Sequence, residues 1–222
     1  MQHAKGEVVF FLDDDVVPAS DWLHSLLAAF DSPQVAAATG WVRHEGRGYY
    51  PESRYNSPLA TSDWELTNQE PRWFERAMSS DAGYGCNMAF RREFLLQQRF
   101  PEDLGAGSAI GAADEHFMFL KTLTSGFALA HRASAAVVHR YGESEAERRR
   151  RVLQLIRSAA AFRMKLLLEY PGIRRKVLAS TLRRTRDVTS DEPRWTVPLS
   201  RASVLKALLS GITLYVRQRL FR

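Results

Sequence analysis

The sequence predicts an α/β fold, a Rossmann-like, mostly parallel sheet followed by basic amphipathic C-terminal helices. Three features predict it. Val8 to Leu12, VVFFL, is an almost unbroken run of β-branched and bulky apolar residues, the pattern of a strand covered on both faces. Strand-like runs and helical spacings then alternate as far as Gly142. Beyond Gly142 the apolar positions recur at helical intervals beneath an Arg-rich face. Charge divides the same way: residues 1–146 hold 12 Lys and Arg against 20 Asp and Glu, a net of −8, whereas residues 147–222 hold 19 against 5, a net of +14. An acidic chemical body joined to a basic helical region is the simplest reading of that asymmetry.

Composition narrows the function classes. The 222 residues are 45% apolar, enough for one sizeable domain with an accessory piece and too much for a disordered tail. The single cysteine, Cys86, excludes an internal disulfide framework and a metal site of the cysteine type, and suits a reducing compartment or core packing. The opening MQHAKGEVV lacks the apolar region and cleavage site of a secretory signal. No run reaches the roughly 18 apolar residues of a membrane span. The expected location is the cytoplasm, with peripheral contact at the inner face of the plasma membrane.

Taken in order, the first strand ends in Asp13, Asp14 and Asp15. In open α/β sheets that carboxyl edge is where ligands bind. Three adjacent like charges repel unless water or a cation screens them, and hard oxygen donors suit Mg²⁺ or Mn²⁺; an acidic turn is the plainer alternative. Val17 stands where a D-D-x-x-D prenyl-diphosphate motif needs a carboxylate, and no companion motif supports a D-x-D phosphatase. Ser20 is placed to cap a helix, with Trp22, Leu23, Leu26, Leu27 and Phe30 on one face and Asp31-Ser32-Pro33 as its stop. Val35 to Val42 reads as a strand in which Gly40 lets something approach closely. Residues 43–80 read as irregular structure with short helices, where Trp64, Trp73 and Phe74 either stack on an acceptor or anchor the loop to the core. Gly105, Gly107 and Gly111 make a pliable loop before a helix that starts at Asp114 and Glu115, faces Phe117, Leu120 and Leu123 inward and stops at Gly126. Acidic residues in a first helical turn are also favoured by the dipole alone. Ala135 to Val138 is a strand ending in His139.

The basic region contains a helix from Glu147 to Tyr170, with Val152, Leu155, Ile156, Ala159, Phe162, Leu166 and Tyr170 on its apolar face. Further amphipathic segments run from Ile173 to Leu182 and Ser203 to Leu220, separated by a polar linker from Asp187 to Pro193. Ala202 to Val216 carries Lys206 and is too short to span a bilayer. Residues 147–222 either lie in an anionic membrane surface or cover the domain with solvated basic faces.

Four blocks resemble glycosyltransferase family 2, the GT-A type of nucleotide-sugar transferase, and they occur in that family's order. They are FLDDDVVP with Ser20-Asp21-Trp22-Leu23 behind it, GYGCNMAFRR from Gly83, FPEDLGAGSAIGAADE from Phe100, and AAVVHRYG from Ala135. The resemblance implies a partial GT-A domain over residues 1–142, lacking its N-terminal nucleotide-binding portion, and a basic helical extension over residues 143–222. It implies an inverting transfer from a nucleotide-diphospho-sugar donor to a hydroxyl of a glycan or lipid-linked acceptor. The metal, Mg²⁺ or Mn²⁺, falls to Asp13, Asp15 and His139; substrate contacts fall to Asp13, Asp14, Gly85, Asn87, Arg91, Arg92 and Gly107. The family order at the catalytic helix is Glu then Asp, and here it is Asp114 then Glu115, so position-by-position transfer makes Glu115 the base and Asp114 its support. Two other classes stay in view: a non-catalytic fragment or binding module, and a nucleic-acid binder, disfavoured because the basic residues sit on apolar-faced helices without a reading motif.

Overall fold

The computed structural model describes residues 3–46, 48, 50–140, 142–186 and 195–220. Its contacts divide the chain into two compact units. The first comprises Met1–Arg47, Glu52–Phe100 and Asp114–Gly142; the second comprises Gly48–Pro51, Pro101–Ala113 and Glu143–Arg222.

The first unit is built on one sheet of β1 (Val8–Leu12), β2 (Val16–Pro18), β3 (Val35–Glu45), β4 (Trp64–Leu66), β5 (Asn87–Arg91) and β6 (Ala128–Arg140). The strand order is β1-β5-β3-β6-β2, with β4 also on β6. The α/β class expected from the sequence is what the chain adopts. Strand direction needs a finer statement than "mostly parallel": β1, β3 and β6 all run one way, but only β3 and β6 are hydrogen-bonded neighbours in parallel, and β5, β2 and β4 run against their partners. The reversed strand β5 lies between β1 and β3, so its first residue, not its last, reaches the carboxyl edge: Leu12 pairs with Asn87, and Val8 with Arg91.

Small residues set how closely the strands and the layer above them approach. Ala36, Ala37 and Ala38 of β3 are fully buried, and the core beside them is made by Trp22 and Leu26 of α1 (Trp22–Leu27) with Ala89, Ala130 and Val137. Helix α1 has Asp21 at its N-cap, one residue past the expected Ser20, with no side-chain capping bond. The β3–β6 register slips between Gly40 and Val42, whose partners are Arg132 and Val137. Within that bulge the Ala135 carbonyl points at Gly40, and a Cβ on Gly40 would sit 2.0 Å from its oxygen. The close approach expected at Gly40 is therefore the backbone of β6. Strand β6 begins seven residues before the Ala135 read from sequence, because its first half, ALAHRAS, mixes small and polar residues and is held in the sheet by pairing with β4 and β3. The segment 43–80 holds β4 and the short helices α2 (Glu52–Tyr55) and α3 (Trp73–Ala77). After β5 come α4 (Arg92–Gln97) and α5 (Asp114–Thr124), the latter stopped by Gly126 at φ +84.

The second unit is helical: α6 (Glu145–Glu169), α7 (Arg174–Arg186) and α8 (Arg201–Leu220). Ser144 and Glu147 form a reciprocal capping box that starts α6, a signature present in the sequence but not used in placing its start at Glu147. Lys165 is buried and pairs with Asp103 at 2.8 Å and Glu169 at 2.9 Å. Glu169 also accepts from the Tyr215 hydroxyl and, at 3.3 Å, from Arg219, tying α6 to α8. The expected polar linker, Asp187 to Pro193, lies outside the described residues. No helix among the described residues is long and apolar enough to cross a membrane.

Gly40→Ala forces a methyl against a main-chain oxygen and should lower stability by about 1–3 kcal/mol in denaturant unfolding. Gly142→Ala, where a Cβ meets nothing within 4 Å, is the matched control, expected to stay within about 0.5 kcal/mol of the parent.

Candidate active site

The carboxyl edge of β1 gathers the acidic residues. Asp13 to Asp15 form the turn that leads into β2, and β2 pairs Val16 with His139 of β6. That register sets Asp15 beside His139, with Oδ2 3.5 Å from Nε2. One strand over, Leu12 pairs with Asn87, and Gly85 and Cys86 immediately precede it. A Cβ built on Gly85 would lie 3.8 Å from the Cβ of Glu115, so the first turn of α5 rests against this loop.

The electrostatics show how close these groups are. The Asp13 carboxyl is held above the usual carboxylate range by partial burial first and then by Asp15, with Asp14 and Asp114 adding to the effect and His139 opposing it. Asp114 is pushed up to about 6, mainly by burial, then by the charge of Glu115 and a hydrogen bond with it. Two neighbouring carboxyls that share a proton titrate as a pair. Cys86 is pushed up to about 12, by burial first and then by Asp13, Asp15 and Glu115. It remains a neutral thiol in the core, as its buried setting requires. Asp13, Asp14, Asp15, Asp114, Glu115 and His139 thus occupy one electrostatic neighbourhood at one end of the sheet.

Behind His139 lies a wall that the sequence did not announce. His44 is its register partner on β3, and the two rings stack at 5.9 Å between centroids. Tyr84 meets the His44 ring edge-on at 6.1 Å. Burial, then His139, pulls His44 down to about 3, so it is a neutral imidazole. Extending the expected strand by two residues past Val42 was the signal that would have found it.

Several expected substrate contacts are used elsewhere. Asn87 is fully buried: its Oδ1 accepts from Trp22 Nε1 at 2.8 Å, and its Nδ2 donates to the carbonyls of Ala135 at 2.8 Å and Trp41 at 3.3 Å. With those bonds made it holds strands together and does not reach a sugar. Arg91 and Arg92 stand at the opposite end of the sheet, about 13 Å of strand away from the acidic edge at ~3.3 Å per residue. Arg91 donates to the carbonyls of Val35, Phe30 and Ser32 at 2.8, 2.7 and 2.9 Å, and Arg92 to that of Ala4 at 2.6 Å. They pin the N-terminal end of the sheet, away from the acidic edge at which a phosphate was expected to meet them. Gly107 belongs to the second unit, in a loop where its φ of +83 needs glycine. Trp73 and Phe74 are buried, and Trp64 stacks on His131 at 5.1 Å while donating to the Leu59 carbonyl at 2.8 Å, so all three anchor their segment.

The residues available for a divalent ion are hard carboxylates and an imidazole, a donor set that Mg²⁺ and Mn²⁺ accept. Beside burial, the neighbouring carboxylates that lift Asp13 are a surplus of negative charge that a cation would relieve. Among the described residues, no three such side chains are gathered closely enough to form a ready-made shell.

Residues 1–97 match the family model described as Glycosyl transferase family 2. That match covers 97 of the 222 residues and includes the turn from Asp13 to Asp15. No curated protein matches the chain. Among solved structures, Staphylococcus aureus TarS 1-349 superimposes with a TM-score of 0.53 at 17% identity, covering 98% of this chain and 58% of that one. The same fragment in complex with UDP-GlcNAc gives 0.51 at 18%, covering 98% and 70%, and a longer TarS structure gives 0.51 at 18%, covering 84% and 30%. The chain therefore shares the TarS fold while spanning 58% of the first of these structures.

Because Asp114 binds its proton more tightly folded than unfolded, its ionisation weakens the fold as pH rises from about 4 through about 6. Asp114→Asn removes that penalty. Relative to the parent, the variant should gain about 1–2 kcal/mol between acidic and neutral pH, after allowance for solvent screening. Unfolding curves at a series of pH values measure the difference.

Proposed function

We propose that the chain transfers a sugar, with inversion, from a nucleotide-diphospho-sugar to a hydroxyl of a glycan or lipid-linked acceptor. The observation that supports this most is the meeting of two acidic groups from distant parts of the sequence. Asp13 to Asp15 at the end of β1 and Asp114 with Glu115 at the start of α5 fall within one another's field, and the first of these groups lies within the residues that match the family 2 model. The fold neighbour crystallised with UDP-GlcNAc supports a nucleotide-sugar donor, and a uridine donor is the first to test.

Glu115 is the proposed base. It accepts the proton of the acceptor hydroxyl as that oxygen attacks the anomeric carbon and the nucleoside diphosphate departs. Asp114, hydrogen-bonded to Glu115 and pushed up to about 6 by burial and by that neighbour, governs how free that carboxylate is. While Asp114 carries its proton, the bond between the two engages Glu115; once it is ionised, Glu115 is free to act, so transfer should rise as pH passes about 6. His139, backed by the neutral His44 ring, and the carboxylates of Asp13 and Asp15 would hold Mg²⁺ or Mn²⁺. When bound, the ion supplies charge neutralisation for the leaving diphosphate. A lipid-linked acceptor would be met at an anionic membrane surface contacted by residues 147–222, which also fits peripheral attachment at the inner face of the plasma membrane.

Purified protein is tested with a panel of nucleotide sugars, Mn²⁺ and acceptor preparations, with donor binding followed by calorimetry and product stereochemistry by NMR. Glu115→Gln should lower kcat by about 10²–10⁴ with little change in KM, and Asp114→Asn should shift the acidic limb of the rate profile. A chain that binds no nucleotide sugar would instead be the binding module or inactive fragment.

A further inference from the structure

Helix α8 is two-faced in a way its packing does not use up. Ala207, Gly211 and Tyr215 are buried one turn apart along its length. They press it so closely onto α6 that a Cβ on Gly211 would meet the Arg157 carbonyl oxygen at 2.1 Å. Leu205, Leu208, Leu209 and Ile212, spaced as one helical face, point away from that contact. They are exposed, Leu205 at 57% and Leu209 at 55% of their full area. Beside this row runs a shallow groove lined by Arg157, Leu205, Lys206, Leu209, Leu214 and Arg217. An apolar row with cations along its border, on a region of net charge +14, matches the arrangement of helices that lie in a bilayer interface.

We infer that α8 is a membrane-docking helix. Its leucine row enters the headgroup–acyl boundary of an anionic phospholipid bilayer, while Lys206, Arg217 and Arg157 meet lipid phosphates at its rim. Charge selects this occupant over the others. Two copies of a region at +14 repel when set face to face. A nucleic acid would satisfy the cations but give four exposed aliphatic side chains nothing apolar to enter. A bilayer surface takes both, burying the apolar row and drawing in each nearby Lys or Arg. This rests on the membrane contact proposed above for residues 147–222 and is independent of sugar transfer.

The full chain is mixed with phosphatidylcholine vesicles, with and without phosphatidylglycerol, and floated on a density gradient. Binding is expected to the anionic vesicles alone and to weaken as salt is raised. Leu205→Gln with Leu209→Gln should lower partitioning by about tenfold or more, and Lys206→Gln with Arg217→Gln by a similar factor. All four positions are exposed, so the thermal transition should stay where it is in the parent. Failure to bind, binding untouched by the leucine substitutions, a drop in solution mass caused by those substitutions, or equal flotation inhibition by RNA at matched charge would each overturn the inference. Transfer to a soluble acceptor is measured on the same samples: an inactive chain that floats counts against the transferase reading alone, and an active chain that ignores vesicles counts against this one alone.

Discussion

The side-chain amide of Asn87 is the constraint on which the acidic end of the sheet depends. A bulge in β6 leaves the Ala135 carbonyl outside the regular ladder, and burial forbids leaving it without a donor. Asn87 supplies that donor, reaches the Trp41 carbonyl with the same nitrogen and accepts the Trp22 indole N–H with its oxygen. One fully buried side chain therefore joins α1, β3, β5 and β6. Leu12, the last residue before Asp13, is the backbone partner of Asn87, and His139 follows the bulge that Asn87 closes. The amide thus fixes the two strand ends that bring Asp15 and His139 together.

Above that clamp the protein concentrates like charge where it is costly. Burial first, and then the carboxylates around them, raise the proton affinity of Asp13 at the end of β1 and of Asp114 at the start of α5. A fold selected for stability alone would disperse them, because a buried carboxyl without a cation weakens the folded state at neutral pH. Such crowding is characteristic of sites that bind cations or move protons. The neutral His44 ring behind His139 and the neutral Cys86 thiol beneath the turn add bulk without further charge.

What the sequence made legible was local. A strand at β1, the helical spacing of α5 and α6, the stop at Gly126 and the close approach at Gly40 each follow from a few adjacent residues, and the structure shows all of them, but β1 is a half-buried end strand, not the strand covered on both faces that its apolar run suggested. Strand direction was not legible. Asn87 to Arg91 has the same apolar pattern read either way, yet its antiparallel placement decides that Asn87 lies at the acidic edge and the two arginines at the far one. The phosphate reading of the Arg pair could not anticipate the acceptors that Arg91 meets, the carbonyls of Phe30, Ser32 and Val35, because only tertiary structure brings them there. Asn87 reads in the sequence as a sugar contact, whereas its hydrogen-bond partners are 65, 46 and 48 positions away in the chain.

The account stands on the claim that the Asn87 amide holds the acidic edge together. Asn87→Leu keeps the branching and number of side-chain heavy atoms and removes three hydrogen bonds, and the direct measurement is hydrogen exchange of the Trp22 indole N–H alongside denaturant unfolding. The account predicts an indole that exchanges far faster than in the parent and a loss of roughly 3 kcal/mol or more, since each buried partner left unsatisfied costs about 1–3 kcal/mol. An indole as protected as before, in a variant of parental stability, would contradict it.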